Sequence, residues 1–119
     1  MTPRAKPHTR NRHMRVTFPP FHGYEVRVIA TKSIVTTARR LKEPTDLSQA
    51  GAAFITLDDR PGIGWLVFEH KPDPGYITHE AHHAICALAK HVGTTFDEET
   101  FAYLMGHLVE RIHKFVKVK

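Results

Sequence analysis

The sequence predicts an α+β domain with the element order β-α-β-β-α-α. Three observations lead there. Short runs rich in β-branched and aromatic residues occupy residues 24–30, 52–59 and 64–70. The last third carries two long segments, each opened by an aspartate and free of internal breaks. Proline and glycine fall between these segments and seldom within them. The chain has 119 residues with 41% hydrophobic and 24% charged, which suits one globular domain with a modest core.

"YEVRVIA" (Tyr24 to Ala30) alternates, with Val26 and Val28 on one face, and predicts a strand. "SIVTTARRLK" (Ser33 to Lys42) has Ser33 as a cap and Ile34, Ala38 and Leu41 as an apolar set. It predicts a helix that Pro44 ends, with residues 45–51 as a connection. "AAFITLDD" and "GWLVFEH" flank "RPGIG", whose Pro61 and Gly62 supply turn chemistry, so residues 52–70 read as a β-hairpin. Asp73 then caps a helix whose first residue is Pro74, where the missing N–H has no intrahelical partner to lose. That helix runs to about His91 and ends at Gly93. The last helix starts at the Asp97 cap, with Phe96 and Phe101 placed for a hydrophobic staple. Glu98 and Glu99 sit in its first turn, where negative charge suits the dipole. Leu104, Met105, Leu108, Ile112 and Phe115 form its stripe.

The net charge of +5 is concentrated at one end. Arg4, Lys6, Arg10, Arg12 and Arg15 lie in the first fifteen residues without an acid. Taking those five from seventeen bases leaves twelve, against twelve acids, so the rest is formally neutral. Residues 1–18 therefore read as a flexible basic arm and residues 19–119 as the folded domain. Such an arm offers loose contact with nucleic acid. A solvated tail is favoured instead, because neither interleaved aromatics nor a folded basic groove supports binding. No apolar run approaches the roughly 18 residues that a membrane span needs. The N-terminus has no apolar core of a secretory signal. Cys86 is the only cysteine, which excludes an intrachain disulfide and fits a cytoplasmic setting.

The chemistry concentrates in "ITHEAHHAI", residues 77–85. His79, Glu80 and His83 spell H-E-x-x-H. On a helix, residues four apart share a face with Cβ atoms about 5–6 Å apart, so both imidazoles can reach one ion. Glu80 then stands beside the metal without ligating it, where it can take a proton from a bound water. With ten histidines and seven glutamates, a shuffled chain shows this pattern roughly once in twenty, so its context matters. The context is a helix after a hairpin, followed sixteen residues after His83 by a helix opening with acids. His82 lies off the His79–His83 line and reads as supporting or surface. Cys86 reads as a small buried thiol beside Ala87. His91, His107 and His113 read as surface histidines.

"ITHEAHHAICAL" followed by "DEETFAYLMGHLVERI" resembles the small zincin-like metallopeptidases of the gluzincin type, and most closely short phage-encoded proteins pairing an H-E-x-x-H helix with an "E-x-x-AYL" helix. The resemblance covers roughly residues 52–116. It implies one zinc per chain held by His79, His83 and Glu99, Glu80 as general base, and a peptide or protein substrate cleaved in the cytoplasm of a host cell. It also implies a small antiparallel sheet with an edge strand beside the active helix, to which a peptide can add. Where larger relatives place a supporting aspartate, this chain has Tyr103. Tyr76, Tyr103 and His107 are the candidates for stabilising a developing oxyanion. The choice of Glu99 over Glu98 also follows from its helical neighbours. Ala102 and Gly106 are small and would let the motif helix approach, whereas Glu98 aligns with the apolar Phe101 and Met105. The alternatives are a zinc-binding phage protein without turnover and a nucleic-acid-binding protein using the basic arm.

Overall fold

The computed structural model describes residues 10–41 and 51–116. It is an α+β fold in the order β-β-α-β-β-α-α: β1 (Arg12–Thr17), β2 (Glu25–Thr31), α1 (Ile34–Arg40), β3 (Ala52–Thr56), β4 (Ile63–Glu69), α2 (Pro74–Val92) and α3 (Glu98–Phe115). One sheet runs β1-β2-β4-β3. β1 pairs antiparallel to β2 and β3 antiparallel to β4, but β2 and β4 are parallel, so the sheet is mixed and not purely antiparallel. The hairpin is present and its second strand lies inward. The reason is in β4 itself: Gly64 through Phe68 are all buried, a continuous apolar run suited to a strand covered on both faces.

Strand β1 corrects the expected boundary of the arm. Within residues 1–18, Arg12–Thr17 form an edge strand and Phe18 is buried; residues 1–9 lie outside the described set, as do Pro44 and residues 45–50. Met14, Val16 and Phe18 alternate with Arg15 and Thr17, and they turn their apolar members onto the core. The period-two signal is present in the sequence, but it runs through its most basic stretch.

The sheet has helices on both faces. Val16, Val26, Val28, Leu66 and Phe68 meet α2 and α3 on one side. Ile29, Ala53, Ile55, Trp65 and Val67 meet α1 on the other. The capping signals hold. Ser33 accepts from the Thr36 N–H, Asp73 from Gly75 and Asp97 from Thr100. Gly93 ends α2 at φ 74°, the left-handed cap position that glycine adopts without steric cost. Phe96 and Phe101 each find another aromatic partner: Phe96 lies 5.2 Å from the Phe21 ring and Phe101 5.2 Å from the His82 ring.

Candidate metal site on helix α2

Ile77, Ala81, Ala84, Ile85 and Leu88 form the buried stripe of α2, and each is fully excluded from solvent. That stripe fixes the rotation of the helix. His79, His82, His83 and Cys86 consequently emerge on its outer side, and Glu80 falls on the flank between the two. Tyr24 adds a second constraint. Its hydroxyl donates to the Ala84 carbonyl at 3.4 Å, and burial pushes its pKa up to about 12.

On the outer face the two motif histidines meet. His79 Nε2 and His83 Nε2 are 3.2 Å apart. Two nitrogens on a tetrahedral zinc at about 2.0–2.1 Å stand about 3.3 Å from each other, so the pair already spans one edge of that coordination shell. Glu80 Oε1 lies 3.9 Å from His79 Nε2. The Glu80 side chain is 12% exposed, against 67% for His79, so the carboxylate is largely screened from solvent while the imidazole stays open. One turn before Glu80, the Tyr76 ring covers the backbone of Gly51 at the start of β3; a Cβ at Gly51 would collide with that ring. Tyr76 and Glu80 therefore share the side of α2 that turns to the edge strand.

Other expected residues are not gathered there. Among the described residues, no group of three or more His, Cys, Asp or Glu is arranged to hold a metal ion. The histidine pair thus fits two positions of a zinc site, without a third protein ligand beside it. Glu99 is exposed. Its helical neighbours Ala102, Tyr103 and Gly106 are also exposed, and nothing lies within 4 Å of a Cβ built on Gly106. The expectation that these small residues let α2 approach is therefore overturned. Helix α3 instead meets α2 through Phe101 on His82, and Glu98 is the acid one turn before Phe101. Tyr103, expected to support a ligand histidine, is 80% exposed on α3. His107 is engaged elsewhere, with Nε2 3.2 Å from the Thr17 carbonyl and its ring edge-on to Phe18. Tyr76 is the one oxyanion candidate that shares a helix side with Glu80.

Cys86 is exposed and not buried beside Ala87; its Sγ lies 3.7 Å from His82 Nδ1. The expectation failed because Cys86 falls seven residues after His79, on the polar side of the helix. Sequence reasoning also missed a basic groove on the far face of the sheet, lined by Arg15, Arg27 and Arg60. The signal was available as an arginine at alternate positions of two adjacent runs, but it required the pairing of β1 with β2. No protein-family model, curated protein or solved structure matches the chain.

Proposed function

We propose that the chain is a zinc-dependent peptidase of minimal zincin type. The observation that carries the reading is the His79–His83 pair, set at the edge length of a tetrahedral zinc with the Glu80 carboxylate packed beside it. His79 and His83 hold the ion. The first turn of α3 supplies the third ligand. Resemblance assigns that role to Glu99; the Phe101–His82 contact favours Glu98, which shares Phe101's side of the helix.

When bound, zinc polarises the scissile carbonyl and lowers the pKa of water to about 7. Glu80 takes the proton of the attacking water and returns it to the leaving amine. Its place 3.9 Å from His79 Nε2 suits that transfer, because a base acts only close to the proton it takes. Strand β3 is a sheet edge beside α2, and a peptide adding to it as a further strand would run past Tyr76 towards the histidines.

The test has two stages. Elemental analysis and zinc titration of the purified protein should give about one zinc per chain, lost in His79→Ala and His83→Ala. A protein that takes up no zinc overturns the reading. In a peptide-library digest, Glu80→Gln should keep its zinc and lose hydrolysis by roughly 10²-fold or more. Stoichiometric zinc with no cleavage by the native chain would instead favour a metal-binding protein without turnover.

A further inference from the structure

On the face of the sheet opposite α2 and α3, helix α1 packs over β3 and β4, and on the β1–β2 side His13, Arg15 and Arg27 are exposed among the described residues. A groove of about 550 Å³ lies there, floored by Trp65 and Ile29 and edged by Arg15, Arg27, Arg60 and His13. Among the described residues, no aspartate or glutamate lines it. Leu41, where α1 ends, closes one side of the groove, and the exposed Arg39 and Arg40 directly precede it.

The charge arrangement is costly unless something completes it. Arg15 and Arg27 are direct cross-strand partners, which puts like charges opposite each other. Both guanidinium groups turn to the same oxygen, Oε2 of Glu25, at 3.9 and 3.0 Å. One carboxylate serves two arginines and leaves a surplus positive charge on an exposed sheet face. Arg60 adds a third guanidinium, 6.0 Å from the Trp65 ring. The acids nearest to it in the chain, Asp58 and Asp59, belong to the same turn but do not line the groove.

We infer that this groove binds a nucleic-acid strand through its phosphates. Among the described residues, every permanent cation lining it is an arginine, whose planar fork matches phosphate oxygens two at a time. Among the described residues, the exposed large apolar side chains, Tyr76 and Tyr103, are on α2 and α3 and not on this face, which argues against insertion into a lipid surface. In sequence, Arg4 and Lys6 precede β1 and extend its run of positive charge. Trp65 is 3% exposed and forms the floor, so contact is made to the backbone and not by stacking of bases. The groove and the histidine pair occupy opposite faces of the sheet, and neither reading needs the other.

The test uses the full chain and a labelled single-stranded DNA of about 20 nucleotides, followed by fluorescence anisotropy from about 50 to 200 mM salt. Binding should weaken steeply with salt. Arg15→Ala/Arg27→Ala, both exposed positions, should keep the native circular dichroism and lose tenfold or more in affinity. Adding Arg60→Ala should flatten the log–log salt slope by about 2 in total, near the value for three phosphate contacts on a single strand. His79→Ala should bind as the native chain does. The inference is overturned if the native chain shows no salt-sensitive binding, or if the arginine variants bind unchanged. It is also overturned if deleting residues 1–9 alone removes binding. Equal competition by polyglutamate, or equal binding to phosphatidylserine vesicles, would replace nucleic acid with a general anion and overturn it too.

Discussion

Helices α2 and α3 begin alike and are held differently. Each opens at an aspartate cap, and they run 19 and 18 residues across the same face of the sheet. Helix α2 buries five residues completely, two of them alanines, because it lies against both the sheet and its neighbour. Helix α3 buries Leu104, Leu108 and Ile112 and leaves Ala102, Tyr103 and Gly106 in solvent. The histidine pair therefore rides on the helix whose rotation is fixed by close packing. On the proposed zinc reading, the two histidines and Glu80 would sit on the closely packed helix, and the third ligand would come from the helix with one free side.

The contrast can be broken most directly in the core. Leu88→Ala in α2 should destabilise the fold by about 4 kcal/mol and Leu108→Ala in α3 by about 3 kcal/mol. Both lie in the usual range for a buried leucine, and the cavity in the peripheral helix can close further. Chemical denaturation measures both values, and a larger loss at Leu108 would reverse the ranking. Tyr24 tests the anchoring of α2 by pH. Its hydroxyl titrates near 10 in the unfolded chain and near 12 in the fold. The folded state therefore binds the extra proton between those values. The resulting stability is fully present below pH 10 and is lost as pH rises through 12. About 2–3 kcal/mol should disappear over that window. Tyr24→Phe should flatten the alkaline limb, and an unchanged limb would release Tyr24 from this role.

Much of this was legible because it is local. Ser33, Asp73, Asp97 and Gly93 act within one turn of themselves, so sequence order alone locates them. The His79–His83 pair is set by helical spacing in the same way. What was illegible depends on partners far along the chain. The strand at Arg12–Thr17 is stabilised by pairing with β2 and by burial of Val16 and Phe18, and nothing in its basic composition announces that. The parallel pairing of β2 with β4 needs the hairpin to insert its inner strand. Helix α3 turns Leu104, Leu108 and Ile112 into the core it shares with α2 and sets Phe101 against His82, while the small Ala102 and Gly106 stay exposed.

The caps give a smaller and cleaner contrast. Asp73 accepts from the Gly75 N–H at 2.9 Å on an exposed turn, so its substitution leaves the core untouched. Asp73→Ala should cost about 1 kcal/mol and raise hydrogen exchange in the first turn of α2 only. Exchange spreading to Glu80 and His83 would mean that the packing of α2 depends on its cap, and that its rotation is less firmly fixed than the buried stripe implies.

The smallest effect separates the two acids at the start of α3. Both Glu98 and Glu99 are exposed in its first turn and both complement the dipole, so each alanine substitution should cost the fold only a few tenths of a kcal/mol. Stability cannot distinguish them, but zinc affinity can. The Phe101 ring lies 5.2 Å from that of His82 on α2, and Glu98 precedes it by three positions on the same side. Glu99 shares its side with Tyr103 and Gly106, which face solvent. Glu98→Ala should therefore weaken zinc binding by roughly tenfold or more, as expected for a lost carboxylate ligand. Glu99→Ala should leave zinc affinity unchanged within error and shift only the melting temperature, by a degree or two. Strong zinc loss in Glu99→Ala with none in Glu98→Ala would return the ligand to the position implied by the metallopeptidase resemblance. It would also mean that α3 turns its exposed side towards the histidines when the ion binds, at the expense of the burial of Leu104, Leu108 and Ile112.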